Sequence, residues 1–248
     1  MVPRLYVPSL DPRALTVELP EDEAAHLRRV LRVKAGAAVR LFDGRGLEVA
    51  ARVASVGRDA VVADIGDPVA SAPEWGVQLT LAQAVLKGDK IDDVIRDAVM
   101  MGVAAVQPLL TARTDVPAAA FTRGRRLDRW QRIAVSSSKQ CGRAVVPAVR
   151  AACSLPECLD AARRSLTLML VEPAAMPSGH TGRPPAAAPA SVLLLVGPEG
   201  GWAEAEVDLA LAAGCLPLSL GPRTLRADAA PLVALSVLQY AWGPGAGG

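Results

Sequence analysis

The sequence predicts an α/β chain in two parts: a small β-rich unit, then a larger unit whose strands form a parallel sheet. Three observations carry this. Residues 37–65, AAVRLFDGRGLEVAARVASVGRDAVVADI, alternate apolar and polar positions around two turn signals, Asp43-Gly44 and Gly57-Arg58. From Val77 onward, strand-like and helix-like stretches alternate, the grammar of a parallel α/β sheet. Two of those strands, LTLMLVE (166–172) and SVLLLVG (191–197), are short, nearly continuous apolar runs, as strands covered on both faces should be.

Taken in order, residues 1–66 read as a small barrel with one short helix. The helix is predicted within EDEAAHLRRVLRVKAG (21–36), where Ala25, Leu27, Val30, Leu31 and Val33 fall near helical spacing and Gly36 is the stop. DPVASAPEWG (67–76) has no period and reads as a linker. VQLTLAQAV (77–85) is a strand. KIDDVIRDAVMMG (90–102) is a helix with Ile91, Val94, Ile95 and Ala98 on one face and Gly102 at its end. VAAVQPLL (103–110) is the next strand. RRLDRWQRIAVSSSKQCG (125–142) is a basic helix whose apolar side holds Leu127, Trp130 and Ala134. PAAMPSGHTGRPPAAAPA (173–190), rich in Pro, Ala and Gly, is expected to be a mobile surface loop. A helical pattern follows Gly201, LPLSLG (216–221) is a further strand, and APLVALSVLQYAW (230–242) is a closing helix with Pro231 in its first turn.

Composition narrows the function classes. At 248 residues, 51% hydrophobic and 21% charged, the chain has material for one large core or two small ones. No apolar run approaches the ~18 residues of a membrane span, and MVPRLYVPSLDPR lacks the apolar centre of a secretory signal; a cytoplasmic protein without a membrane partner is expected. The cysteines (Cys141, Cys153, Cys158, Cys215) are scattered, and the two histidines, His26 and His180, are far apart. A zinc site needs about four such ligands, so no metal is expected, and a Ser-His-Asp mechanism has little material. Net charge is only +2 but uneven. Arg113, Arg123, Arg125, Arg126, Arg129, Arg132, Lys139, Arg143 and Arg150 face only Asp115 and Asp128 across residues 111–150, and Arg28, Arg29, Arg32 and Lys34 form a second cluster. Such blocks are either solvated helix faces or surfaces for phosphates.

Three strands end in candidate ligand loops: Val171-Glu172-Pro173, Gly197–Gly201 and Ser219–Arg226. In an open α/β sheet, ligands collect outside the carboxyl ends of the strands, and glycines let backbone groups approach them closely. Gly197-Pro198-Glu199-Gly200-Gly201 fits neither the dinucleotide nor the P-loop pattern, which disfavours a phosphate cradle. Arg226 and Asp228 lie two apart before the last helix. Either Asp228 caps that helix and pairs with Arg226, or the two hold a cation and a carboxylate at the mouth of a ligand pocket.

VGPEGGW, EVDLALAAGCLPLSLGPRTLRADAAPLVAL, LAQAVLKGDKIDDVIRDAVMMGV, VQPLLTARTDV and RWQRIAVSSSKQCGRAVVPAV, with PRLYV, HLRRVLRVKAG and VRLFDGRG before them, resemble in order the motifs of the RsmE family. These are bacterial methyltransferases that modify N3 of a uridine in small-subunit (16S) ribosomal RNA with S-adenosylmethionine. The resemblance implies a PUA-like RNA-binding β-barrel domain over 1–70 and a SPOUT methyltransferase domain over 74–248, a parallel sheet with a C-terminal trefoil knot. It also implies a homodimer. The cofactor would lie against Val171, Glu172, Pro173, Val196, Gly197, Pro198, Glu199, Gly200, Gly201, Ser219, Leu220, Gly221, Arg223 and Leu225. For Glu199, contact with the ribose or methionine moiety and a packing or helix-end role both stay open. Arg226 would stabilise the charge that spreads over a deprotonating uracil ring, with Asp228 taking the proton or orienting the arginine. The RNA would meet Arg4, Arg28, Arg29, Arg32, Lys34, Arg113, Arg125, Arg126, Lys139 and Arg143. The chain departs from the family where Thr-Glu-Thr-Ala is usual and Ala227-Asp228-Ala229-Ala230 stands, at Met100-Met101-Gly102 for Glu-Leu-Gly, and at Lys139-Gln140-Cys141 for Glu-Gln-Ser. Two other functions fit those departures: a catalytically weak ribosome-binding or assembly protein on the same fold, and a SPOUT methyltransferase acting on another RNA.

Overall fold

The computed structural model describes residues 2–114, 124–162 and 165–243; Arg123 and Asp115 of the basic block lie outside them. The chain divides into two compact units. One is built from the chain up to Glu74 together with Val135–Val146, the other from Trp75–Ala134 and the chain from Pro147 onward.

The first unit is a five-stranded sheet in the order β1-β3-β4-β5-β2, with β1 (Arg4–Tyr6), β2 (Thr16–Glu18), β3 (Ala38–Phe42), β4 (Glu48–Val56) and β5 (Val61–Pro68). β1 runs parallel to β3 and the other pairs are antiparallel. Leu5, Leu27, Leu41, Val49 and Val61 are buried in its core. Asp43-Gly44 turns the chain as predicted: Gly44 sits at φ +78, and the Asp43 carboxylate accepts the N–H groups of Arg45 (2.7 Å) and Leu47 (3.0 Å). The predicted helix is shorter than expected. α1 (Glu21–His26) widens into a π-turn over Leu27–Leu31 and ends at Arg32 with φ +50. The Leu27 carbonyl accepts from both Arg32 and Val33, which turns Val33 onto the core before Gly36 is reached.

Residues 135–146 group with this unit rather than with the second, where the sequence reading placed them, and Arg4 supplies a reason. Its guanidinium donates to the carbonyls of Ser138 (2.8 Å), Lys139 (2.8 Å) and Arg143 (2.9 Å), makes a two-point pair with Glu48 (3.1 and 2.7 Å), and lies 4.8 Å from the centre of the Phe42 ring.

The second unit carries a seven-stranded sheet in the order β12-β10-β11-β6-β7-β8, with β9 also on β7. The strands are β6 (Gln78–Ala84), β7 (Ala105–Leu110), β8 (Ala148–Val149), β9 (Cys153–Ser154), β10 (Leu166–Leu170), β11 (Ser191–Val196) and β12 (Leu216–Leu218), and the helices are α2 (Lys90–Met100), the part of α3 (Arg125–Cys141) up to Ala134, α4 (Leu155–Ala161), α5 (Glu204–Ala212) and α6 (Ala230–Trp242). Every pairing in this sheet is parallel. Leu79, Leu81, Leu168, Leu194 and Leu195 are fully buried, as two-sided cover demands. α2 buries the predicted Ile91, Val94, Ile95 and Ala98 and also Val99.

β8, β9 and α4 escaped the sequence reading because two-residue strands have no period. α4 did leave a signal. Ser154 and Glu157 form a capping box, with Ser154 N–H donating to Glu157 Oε2 (2.8 Å) and Glu157 N–H to Ser154 Oγ (3.4 Å). The 173–190 loop, expected to be mobile, is tied at two points. Gly182 is buried and its carbonyl accepts from Ser219 N–H (2.9 Å), and Pro185 accepts from Trp242 Nε1 (2.8 Å).

Candidate functional site

Strand order positions the site. β12, β10, β11 and β6 are neighbours and parallel, so the loops at their carboxyl ends share one edge of the sheet. There they enclose a cavity of about 350 Å³, within the roughly 300–1,000 Å³ typical of small-molecule sites. Of the predicted cofactor residues, Val171, Glu172, Pro173, Val196, Gly197, Pro198, Glu199, Gly201, Leu220, Arg223 and Leu225 line it, as do Arg226 and Asp228. Gly200, Ser219 and Gly221 are not among the lining residues. Thr224, inside the predicted Ser219–Arg226 loop, and Lys90, Leu170, Trp202, Ala227 and Ala230, which were missed, complete it.

The glycine loop after β11 is held from several sides. Trp202 Nε1 donates to the Leu170 carbonyl (2.9 Å), tying this loop to the end of β10. A Cβ on Gly197 would come within 3.1 Å of the Trp202 ring, and one on Gly201, at φ +68, within 3.0 Å of Glu172 Oε1. Conformation therefore favours glycine at Gly201, and at both positions a side chain would make its neighbour give by a few tenths of an ångström. Arg113, expected at the RNA surface, braces the loop: its guanidinium donates to the Gly200 carbonyl (2.9 Å). Glu206 accepts from the N–H of Ala203 (2.9 Å) and Ala112 (2.8 Å), fixing the start of α5.

Six charged residues line the pocket, and four of them form two ion pairs there. Glu199 accepts from Lys90 Nζ (3.0 Å) and Lys87 N–H (3.3 Å). Partial burial opposes its charge, yet the Lys90 hydrogen bond and the backbone N–H groups hold the carboxyl below its usual range. This gives Glu199 a structural tie between the loops after β11 and β6. Arg226 donates to both oxygens of Asp228, Nε to Oδ1 (3.0 Å) and Nη2 to Oδ2 (2.8 Å). That bidentate bond is the main cause of an Asp228 carboxyl held below the usual range, against some desolvation and with a smaller contribution from Lys90. The arginine is raised in turn. Arg226 stays 75% exposed and Asp228 23%, so a cation stands at the mouth with its carboxylate partner behind it. The two side chains pair, and they do so at a pocket, but Asp228 does not cap the last helix, whose N-cap is Ala229 without a side-chain hydrogen bond.

The predicted RNA residues separate into two groups. Arg29, Arg32, Lys34 and Arg125 are exposed, and Arg28 and Arg126 are half-buried. Arg4, Lys139 and Arg143 are engaged inside the first unit instead. Arg4 is bound as described, Lys139 Nζ meets both oxygens of Glu23 (2.8 and 2.7 Å), and Arg143 is buried against Glu74. Among the described residues no cluster of His, Cys, Asp or Glu suits a metal ion.

Comparison with known proteins agrees with this architecture. Residues 73–239 match the RNA methyltransferase domain family, and residues 19–66 match the RNA methyltransferase PUA domain family. The ribosomal RNA small subunit methyltransferase E of Synechocystis is 34% identical over 89% of this chain and 72% of its own. The Neisseria gonorrhoeae enzyme of the same name, solved bound to S-adenosylmethionine, superposes with a TM-score of 0.87 at 33% identity, covering 98% of each chain. A Legionella pneumophila protein solved with bound cofactor SAM superposes at 0.90 with 33% identity, over 98% of this chain and 99% of that one. With a PUA-like first unit and a parallel α/β second unit, the chain belongs to the RNA methyltransferase family of ribosomal RNA small subunit methyltransferase E.

Proposed function

We propose that the protein methylates N3 of a uridine in small-subunit (16S) ribosomal RNA, using S-adenosylmethionine. The observation that carries this is the single cavity under three adjacent strand ends with Arg226 at its mouth. The lining suits the cofactor. Leu170, Val196 and Leu225 offer apolar contact to a flat purine, loop backbone offers hydrogen bonds, and the Glu172 and Asp228 carboxylates favour a nearby cation. When bound, S-adenosylmethionine supplies an electrophilic methyl group on a sulfonium.

The chain's own residues then have two tasks. Arg226 meets the uracil ring, where loss of the N3 proton leaves negative charge on O2 and O4; a guanidinium held by Asp228 stabilises that charge, the more so as the bound base shields it from solvent. Asp228 orients Arg226. A carboxylate already accepting two charge-assisted hydrogen bonds is a poor proton acceptor, so the N3 proton leaves to water at the mouth. Retention of an arginine–carboxylate pair supports an enzyme despite the Ala227, Asp228 and Ala229 departures.

The exposed Arg29, Arg32 and Lys34 of the first unit, and Arg125 of the second, are proposed to follow the RNA backbone. A homodimer through α6 is supported by Val233, Val237 and Tyr240, spaced along one face and 39%, 39% and 88% exposed. A C-terminal trefoil knot is supported by the ties from Ser219 and Trp242 to the 173–190 loop. No helix among the described residues is long and apolar enough to cross a membrane, and the proposed site of action is the cytoplasm, with the ribosomal RNA. Nucleoside analysis of 16S RNA from cells with and without the gene tests the reading. N3-methyluridine present only with the gene is expected; an unchanged nucleoside profile would overturn it.

A further inference from the structure

Three of the four free cysteines, Cys153, Cys158 and Cys215, share the hydrophobic cluster built from β7, β10, β11 and α5. Two of them are placed with particular care. Ser154 is the N-cap of α4 and Glu157 its third residue. Cys153 therefore stands just before the cap and Cys158 just after the capping glutamate. In helices these two positions normally carry apolar side chains that clasp each other. Here they carry thiols, and both belong to the same hydrophobic cluster. The backbone on both sides is fixed, since Cys153 is in register with Leu109 of β7 and the capping box holds Ser154 to Glu157. Cys153 is half-buried and Cys158 buried.

We propose that Cys153 and Cys158 form a reversible oxidation site for a small hydroperoxide, Cys153 attacking and Cys158 resolving. The proposal is independent of the methyl-transfer reading, because neither residue lines the pocket. In the first step the Cys153 thiolate attacks one peroxide oxygen. The S–O bond forms as the O–O bond breaks, and the departing hydroxide takes up a proton to leave as water. In the second step Cys158 attacks the sulfenic sulfur and the S–S bond forms. The hydroxyl leaves as a second water, carrying the Cys158 proton. Two thiols and one hydrogen peroxide thus give one disulfide and two waters (an organic hydroperoxide would give an alcohol and one water), each sulfur losing one electron to oxygen. The division of roles follows the surroundings. The neighbouring Cys158 thiol favours charge on Cys153, with Arg150 adding to it against burial and Glu157. Cys158 is raised by the Cys153 side chain and by burial, and burial pushes Cys215 up to about 11.

The test is one equivalent of hydrogen peroxide added to the reduced full-length protein at neutral pH, followed by intact mass and peptide mapping. The expected product is a Cys153–Cys158 cross-link, lighter by about 2 Da and reversed by dithiothreitol. Cys158→Ser should halt the reaction at a Cys153 sulfenic acid that dimedone captures. Cys153→Ser should leave the other thiols unmodified at that dose. Cys141, half-buried with its Sγ 3.8 Å from the Ser138 carbonyl, is the internal reference. Oxidation of Cys141 as fast as the pair, or a Cys153 sulfinic acid beside an intact Cys158 thiol, overturns the proposal, and the wild-type map alone decides this if a variant fails to fold.

Discussion

Arg226 and Asp228 meet through two hydrogen bonds, Nε to Oδ1 at 3.0 Å and Nη2 to Oδ2 at 2.8 Å, at the rim of a pocket built by three adjacent strand ends. The carboxylate is the more enclosed partner and the guanidinium the more exposed one, which suits an arginine held ready for a second anion.

The first prediction concerns Asp228. Asp228→Asn removes the charge that orients Arg226 and should lower the methyl-transfer rate about 10- to 100-fold, while S-adenosylmethionine affinity by calorimetry changes little. The pH dependence has a definite sign. The folded-state pKa of Asp228 is depressed, so its stabilising contribution is present above the unfolded carboxylate value and is lost only as pH falls through the lower folded one. Across neutral and alkaline pH it does not titrate. The rate should rise toward alkaline pH, following loss of the uridine proton, with no break from this carboxyl. A break near neutrality that vanishes in Asp228→Asn would make Asp228 the base.

Gly201→Val tests the loop. The new side chain would need an unfavourable positive φ and would press on Glu172. Cofactor affinity should fall at least about tenfold, which costs about 1.4 kcal/mol of binding, with the second unit still folded by circular dichroism. Unchanged affinity would remove the glycine loop from the binding site.

Arg4→Ala separates a structural arginine from an RNA contact. It leaves Glu48, which is 2% exposed, with the longer pair to Arg40 at 3.6 Å, and the loss should approach the roughly 3–5 kcal/mol of a broken buried pair without exceeding it. Denaturant unfolding should report that loss. A variant as stable as wild type but weaker in RNA binding would restore Arg4 to the surface role read from sequence.

Arg29→Glu combined with Lys34→Glu should weaken RNA binding and flatten its salt dependence, by about 0.9 in the logarithmic slope for each phosphate contact removed. The melting temperature should hardly move, since both side chains are exposed. Filter binding across a salt series gives both numbers.

Most of the second unit was legible because its strands are short apolar runs and α2 repeats at helical spacing. The loops were legible as loops, and parallel neighbours brought them together. Sequence could not reveal Lys90, which lies 109 positions from Glu199 and meets it only because β6 sits beside β11. It also misjudged three basic residues. Arg4, Lys139 and Arg143 look like the other cations in a composition window, and only the fold shows that Glu48, Glu23 and Glu74 have taken them. The π-turn at Leu27–Leu31 was hidden for a related reason: an apolar period near 3.6 does not tell whether the last turn closes on i−4 or opens wider.

The most direct test of the central claim is single-turnover methyl transfer from labelled S-adenosylmethionine to 16S RNA, comparing wild type with Arg226→Ala. We predict label at N3 of a uridine with the wild type, and a variant that binds the cofactor within about threefold of wild type yet transfers methyl at least about 100-fold more slowly. Full-speed transfer by Arg226→Ala, or no transfer by the wild type, would contradict the account.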